Sequence, residues 1–517
     1  MHLGRHVSFT FVGWSLLATS SVAAEFFQPL RPPRSFQVMV HRGMSRQAPE
    51  NTRPALTRAI DDGFEWVEVD VRLTKGGQHV LFHDAKVDGK SDGHGAVKDL
   101  TLEQLQQLDA GGWFAPRCAG QKVLSLKECL ELAKDKINLY LDCKDVRPAQ
   151  LVDEILAAGM ANQVLVFADL DTLSQVRQKS GGKVAIMPKW RPQFGLEDWI
   201  AKWRPEAVEV DAEAVTPQVC RAFHAAHVKV QAKVLGRDDR PEVWDRVLAA
   251  GADLLQTDLP EEVVAHRCWQ VPFGLHRPVQ ISCHRGANRY APENTLPAFK
   301  KAVRLGVDYV EFDVRPSKDG QFFILHDSRL NRTTNARGPI TSLTADRIRH
   351  LDAGAWFGLP FRGTRVPTLD ETLDVLVGHA NLYVDAKDIP PETLARILTE
   401  RKVLTHSVVY QSPSYLRRLK TLAPKARGLC PLDRADQIDS LAESVHPYGF
   451  DVAWRILSKP LIDHCHARHI KVFSDALGFH ETIEHYRRAM DWGIDVIQTN
   501  YPLRVMRAVE LRAAGEH

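Results

Sequence analysis

Short apolar runs alternate with longer amphipathic stretches along most of this chain. Val38-Met39-Val40, Trp66-Val67-Glu68-Val69-Asp70, Val80-Leu81-Phe82, Asn138-Leu139-Tyr140-Leu141, Val164-Leu165-Val166-Phe167, Val184-Ala185-Ile186-Met187 and Val228-Lys229-Val230 have the length and the β-branched and aromatic content of strands. Between them lie segments with helical spacing, such as Leu151 to Ala158. That rhythm predicts an α/β fold built from βα units around a parallel sheet. About nine strand candidates fall in the first half of the chain, one more than an eight-stranded barrel uses, so one of them is a hairpin partner or no strand.

The pattern is written twice. His41-Arg42-Gly43 returns 243 positions later as His284-Arg285-Gly286, and Ala48-Pro49-Glu50-Asn51-Thr52 as Ala291-Pro292-Glu293-Asn294-Thr295. Glu68-Val69-Asp70-Val71-Arg72 answers Glu311-Phe312-Asp313-Val314-Arg315, and His83-Asp84 answers His326-Asp327. Asp142-Cys143-Lys144-Asp145 is repeated as Asp385-Ala386-Lys387-Asp388. A period this long is a duplicated domain rather than a solenoid unit, and its length matches one (β/α)8 barrel. The expected architecture is two tandem (β/α)8 TIM barrels over residues 36–271 and 279–517. A short stiff linker is expected between them, near Pro272 to Pro278.

Composition narrows the class. With 44% hydrophobic and 25% charged residues in 517, the chain has ample apolar material for two packed cores. A net charge of +3 without a dominant basic block makes nucleic acid a poor partner. Residues 1–24 read as a signal peptide: Arg5 and His6 precede an apolar run, and small residues lead to a cut after Ala24. The chain is therefore expected to be exported, to a periplasmic or extracellular location, with no stable membrane span after cleavage. The eight cysteines are scattered without a CxxC pattern, so Cys143 and Cys283 are taken as small buried hydrophobes.

The repeated polar residues sit at the ends of apolar runs, where a barrel carries its chemistry. Glu68 and Asp70 are two apart on a strand and face one side, as are Glu311 and Asp313. Asp142 and Asp385 add a third carboxylate to each set. An all-oxygen cluster of this kind selects a hard cation, Ca²⁺ or Mg²⁺, one per barrel. His41 with His83, and His284 with His326, supply paired imidazoles for general acid and base work. Arg42, Lys144, Arg285 and Lys387 supply cations suited to phosphate oxygens. Taken singly, Glu-x-Asp is usually a solvated strand face, Pro-Glu-Asn-Thr a helix start capped by Asn51 or Asn294, and Leu-Asp-Ala-Gly a helix ending at its glycine. Their ordered recurrence in two copies is what sets them apart.

Together these residues resemble the glycerophosphodiester phosphodiesterase family, within the PLC-like phosphodiesterase TIM-barrel superfamily. The resemblance implies cleavage of glycerophosphodiesters to an alcohol and glycerol 3-phosphate. It assigns His41, His83, His284 and His326 as catalytic, and Glu68, Asp70, Asp142, Glu311, Asp313 and Asp385 as metal ligands. Arg42, Lys144, Arg285 and Lys387 would hold the phosphate, with Glu50 and Glu293 in support.

Three departures stand out. The third ligand is Asp in both copies where the family usually has Glu. The first copy carries Val87-Asp88-Gly89-Lys90-Ser91-Asp92 where the second keeps Leu330-Asn331-Arg332-Thr333-Thr334. The second ends Thr499-Asn500-Tyr501-Pro502 where the first has Thr257-Asp258-Leu259-Pro260. Sphingomyelinase D-like barrels are similar in having Asp at the third position, which leaves lysophospholipids open as substrates. A non-catalytic module binding phosphorylated surface polymers is the other alternative. Since neither copy loses a ligand or a histidine, both are expected to be competent and to differ in substrate or efficiency.

Overall fold

A computed structural model of the chain describes residues 25–269, 277 and 279–514. The expected signal segment 1–24 and most of the expected linker lie outside the described residues. The first unit contains β1 (Gln37–Val40), β2 (Trp66–Leu73), β3 (His79–Leu81), β4 (Asn138–Cys143), β5 (Val164–Phe167), β6 (Ala185–Ile186), β7 (Ala207–Asp211), β8 (Lys229–Lys233) and β9 (Leu254–Thr257). The strand order is β6-β5-β4-β2-β1-β9-β8-β7, all parallel, and a parallel bridge between Lys189 and Glu209 closes the ring. The second unit repeats this with β10 (Gln280–Cys283), β11 (Tyr309–Pro316), β12 (Phe322–Ile324), β13 (Asn381–Asp385), β14 (Ser407–Tyr410), β15 (Arg427–Leu432), β16 (Gly449–Val452), β17 (Lys471–Asp475) and β18 (Val496–Thr499). Pairing of β10 with both β11 and β18 closes it. Helices lie between successive parallel strands, so the chain is two tandem TIM barrels.

The ninth strand candidate resolves as a hairpin. Val80-Leu81-Phe82 is not part of the parallel barrel: β3 runs antiparallel to β2, with Val71 opposite Leu81 and Leu73 opposite His79. Strand β2 overshoots the rim, turns at Thr74 to Gln78, and returns, so that the Phe82 amide reaches the Asp70 carbonyl at 3.0 Å. The return carries His83 back to the mouth of the barrel. In the second unit β12 makes the same return against β11.

Strand periodicity then explains where chemistry and core divide. On β2, Val67, Val69 and Val71 join the large apolar cluster under the helices, while Trp66 packs at the barrel floor with Phe26, Met39, Tyr140, Leu165 and Leu254. Glu68 and Asp70 continue the Trp66 row upward, so the inward face changes from apolar floor to acidic mouth within one strand. Residues 25–35 lie below this floor, where Phe26 meets the Trp66 ring edge-on at 4.9 Å. All eight cysteines are free thiols, and Cys143 and Cys283 are buried. No helix among the described residues is long and apolar enough to cross a membrane.

The barrels meet through a pseudo-twofold interface. Arg304 of the second unit binds Glu262 of the first at 2.9 Å, and the register-equivalent pair is Arg504, whose Nε donates to the Asp61 carbonyl at 3.0 Å. Lys301 Nζ is buried against Glu261 at 2.6 Å and also binds Glu262. Arg289 adds a 2.6 Å bond to Asp62, and the rim loops touch where the Arg117 guanidinium lies 4.3 Å over the Phe357 ring.

Candidate active sites

Each site begins with a strained turn directly after the first strand of its barrel. Arg42 and Arg285 adopt φ of 55°, the left-handed region that disfavours any residue with a Cβ. Gly43 and Gly286 follow with φ of 72° and 75°; a Cβ on Gly43 would stand 2.8 Å from the Ala55 backbone. The turn aims the Arg42 amide at Glu68 Oε2, 2.7 Å away, and the Arg285 amide at Glu311 Oε2, 2.6 Å away. Strain on the order of 1–3 kcal/mol is thus tied to a hydrogen bond that holds a carboxylate.

The acidic triads form as expected. In each barrel one carboxylate oxygen from every member, Glu68, Asp70 and Asp142 or Glu311, Asp313 and Asp385, falls within 4.8 Å of the others. Pairing of β2 with β4 sets Asp70 directly beside Asp142, and pairing of β11 with β13 does the same for Asp313 and Asp385. Glu68 and Asp70 are 1% exposed. Burial pushes the Glu68 carboxyl well above the ordinary carboxylate range, and the charges of Asp70 and Asp142 add to this. Burial, with Asp313 and Asp385, does the same to Glu311. In the second barrel Asp313 Oδ1 has no hydrogen-bond partner. Three carboxylates, two of them buried, whose oxygens converge on one point are a donor set for a divalent oxygen-seeking cation.

Cations rim the triads. Lys144 Nζ is 2.6 Å from Asp142 and 3.3 Å from Asp70, and Arg42 Nε is 3.4 Å from Asp70. Lys387 binds Asp385 and lies 3.4 Å from Asp313, while Arg285 Nε is 3.8 Å from Asp313. Glu50 and Glu293 accept from the Arg42 and Arg285 guanidinium groups at 3.3 and 2.9 Å. The divergent rim loops supply a further cation to the same glutamate: Lys90 reaches Glu50 at 3.2 Å, and Arg332 reaches Glu293 at 2.7 Å.

The histidines flank this centre, each oriented through Nδ1. His83 and His326 pair with the next residue, Asp84 at 2.7 Å and Asp327 at 2.8 Å. His41 Nδ1 meets Asp258 at 2.8 Å, and its Nε2 stands 4.0 Å from Glu68. His284 meets Asn500 instead, at 3.0 Å. Burial, with the Arg285 charge adding, pushes His284 down to about 4. Burial works to raise Asp258, but the His41 hydrogen bond and the charges of His41, Arg46 and Arg42 hold it below its usual range.

Two motifs do something other than expected from sequence. Asn51 and Asn294 are not helix caps: Thr52 and Thr295 occupy the N-cap positions, and neither makes a side-chain cap bond. The Asn51 side chain instead clamps Asp70, donating to Oδ2 at 2.8 Å and accepting from the Asp70 amide at 3.0 Å. Its φ of 58° suits asparagine among residues with a side chain. Leu-Asp-Ala-Gly does not end a helix at its glycine: the helix ends at Gln107 with Leu108 as its C-cap, and Asp109 Oδ1 accepts the Gly111 and Gly112 amides at 2.8 and 3.0 Å. Gly111 is required because a Cβ there would stand 1.9 Å from the Cys118 carbonyl oxygen. Sequence reasoning noted Asp258 only as a difference between the copies, without a role, and missed the pair Arg72 and Arg315, whose Nε groups donate to the His83 and His326 carbonyls at 2.8 and 2.9 Å. Recurrence of Arg in Glu-x-Asp-x-Arg was the available signal.

Comparison with known proteins finds relatives of both barrels. The model of the glycerophosphoryl diester phosphodiesterase family matches twice, over residues 41–262 and 284–504. A glycerophosphodiester phosphodiesterase of Bacillus subtilis is 31% identical over 248 residues, 42% of this chain and 82% of its own length. One from Caldanaerobacter subterraneus is 31% identical over 249 residues, 44% of this chain and 97% of that protein. A crystal structure of a glycerophosphodiester phosphodiesterase from Agrobacterium tumefaciens is 30% identical, with a TM-score of 0.42, covering 44% of this chain and 99% of its own. With both barrels matched along most of their length, the chain belongs to the glycerophosphoryl diester phosphodiesterase family.

Proposed function

We propose that each barrel hydrolyses a glycerophosphodiester to an alcohol and glycerol 3-phosphate. The observation that carries this reading is the duplicated constellation itself: a buried carboxylate triad, an Arg and a Lys beside it, and two Nδ1-anchored imidazoles, present in both barrels. Glu68, Asp70 and Asp142, and in the second barrel Glu311, Asp313 and Asp385, would hold one divalent cation, Ca²⁺ or Mg²⁺. When bound, it supplies positive charge to the phosphoryl oxygens in a water-poor mouth.

The chain's own residues supply the rest. Arg42 and Lys144 orient and neutralise the phosphate, as Arg285 and Lys387 do in the second barrel. The Nδ1 anchors leave Nε2 of each histidine free for proton transfer at the reacting oxygens. His41 and His83, or His284 and His326, would thus take one proton from the attacking water, or from a neighbouring glycerol hydroxyl with water then opening the cyclic phosphate, and return one to the departing alcohol. Glu50 and Glu293 keep the two arginines in place. The N-terminal segment supports export of the protein.

The test is release of glycerol 3-phosphate from glycerophosphocholine with Ca²⁺, Mg²⁺ or chelator, for wild type, His41→Ala, His284→Ala and the double variant. Metal-dependent release that falls partly in each single variant and vanishes in the double supports two working barrels. No release by the cation-loaded wild type on glycerophosphodiesters would overturn the reading.

A further inference from the structure

The pseudo-twofold interface places register-equivalent positions beside the two barrel mouths, and the chain fills them differently. Beside the second barrel, Arg289 binds Asp62 at 2.6 Å and lies 4.2 Å over the Tyr501 ring. Its register equivalent beside the first barrel is Arg46, and the position equivalent to Asp62 is Leu305. Arg46 is exposed and has no ion pair among the described residues. The hollow there stays open as a cleft of about 580 Å³ lined by both barrels.

Substitutions between the copies contribute to this cleft's charge. Leu305 replaces the acid, Lys300 stands where the first barrel has Thr57, and Arg240 where the second has Thr482. Arg46, Arg240 and Lys300 line the cleft together with Arg304 and the buried Lys301. The acidic residues in the wall are already engaged. Glu262 is bound by Lys301 and Arg304, and Asp239 accepts from the Trp244 indole, the Thr257 hydroxyl and the Asp258 amide. Arg240 is itself paired with Glu242 at 3.3 Å, so Arg46 and Lys300 are the lining cations without an ion pair among the described residues, in a concave site where field lines focus.

This cleft adjoins the first catalytic centre. Asp239 in its wall holds the Asp258 amide at 2.7 Å, and the Asp258 carboxylate holds His41 at 2.8 Å. We infer that the inter-barrel cleft is a subsite for a second phosphate group of an extended substrate whose scissile phosphodiester lies in the first barrel. The substrate class is a phosphodiester whose alcohol bears a further phosphate. Lys300 comes from the second barrel, so the subsite exists only because the domains are in tandem. The inference rests on the first barrel's being a phosphodiesterase.

The experiment compares kcat/KM for glycerophosphoglycerol and for a linear trimer of glycerol phosphate. It uses full-length protein carrying His284→Ala and His326→Ala, with and without Arg46→Gln plus Lys300→Gln. A preference for the trimer that drops about tenfold in the Arg46→Gln, Lys300→Gln protein, and drops likewise at high salt, supports the subsite. An unchanged preference overturns it, as does a cleft that binds inorganic phosphate while giving the trimer no advantage. Binding of the trimer to protein silenced in both barrels by His41→Ala and His284→Ala, lost on Arg46→Gln plus Lys300→Gln, separates this inference from the activity. No turnover of either substrate together with intact binding would overturn the phosphodiesterase reading and leave the anion site standing.

Discussion

The Nδ1 of His284 lies 3.0 Å from the amide oxygen of Asn500, where the first barrel sets a carboxylate, Asp258, against His41 at 2.8 Å. Asn500 is itself fixed, with its backbone amide on Glu481 at 2.6 Å and its side chain donating to Glu481 at 3.2 Å. The two barrels share their carboxylate triads and flanking cations but not the electrostatics behind this imidazole.

A pH difference between barrels follows. With His284 held down to about 4, its imidazole stays neutral and able to accept a proton from neutral pH to near that value. Protein with the first barrel silenced by His41→Ala and His83→Ala should keep kcat/KM on its acid side until about pH 4. Asn500→Asp should favour the imidazolium and shift that limb upward. A coincident acid limb with and without Asn500→Asp would show that His284 is not the titrating group. Stability carries the same sign: below the ordinary histidine value of about 6.5 the unfolded chain takes up the proton first, so this group destabilises the fold as pH falls toward 4.

Cation binding should reverse the effect of one substitution. Without a divalent ion, Glu68→Gln removes repulsion among the three clustered carboxylates, two of them buried, and should raise the melting temperature in chelator. With the ion at a hundredfold excess over its Kd, wild type should gain about 2.7 kcal/mol, and Glu68→Gln should gain less. Thermal unfolding in chelator and in Ca²⁺ or Mg²⁺ reads both signs.

Asn51 positions Asp70, a proposed cation ligand, rather than touching substrate. Asn51→Ala should lower first-barrel kcat/KM about 10- to 100-fold, the range seen when partners behind metal ligands are removed. The cation concentration for half-maximal activity should rise with it. Titration of activity with cation, in protein whose second barrel is silenced, distinguishes this from a simple loss of folded protein.

The interface lysine is the strongest single test of coupling between barrels. Lys301 and Glu261 are 5% and 0% exposed, so Lys301→Met would leave Glu261 and Glu262 without their buried cation. Loss of one partner of a buried ion pair destabilises by about 3–5 kcal/mol. Urea unfolding should move to lower concentration; replacement of both Lys301 and Glu261 by apolar residues should recover part of the loss.

Much of the site could be read in one dimension. Glu68 and Asp70 share a face because strand side chains alternate, and the repeat identified which polar residues travel together. The rest depends on closure of the ring. His41 and Asp258 are 217 positions apart and meet only because β1 pairs with β9. His83 reaches the mouth only because β2 overshoots and folds back as β3.

Sequence by itself determined two barrels, their triads, their four histidines and the cations beside them, because duplication preserves those residues at one spacing and local geometry sets their faces. Tertiary structure alone decided what stands behind each histidine, why Asn51 and Gly111 are where they are, and how the barrels join. Those outcomes rest on contacts between segments far apart in the chain, such as Asp62 with Arg289, whose pairing no local period encodes. The same register position holds Leu305 in the other copy, and only the packed interface shows that this leaves Arg46 facing an open cleft.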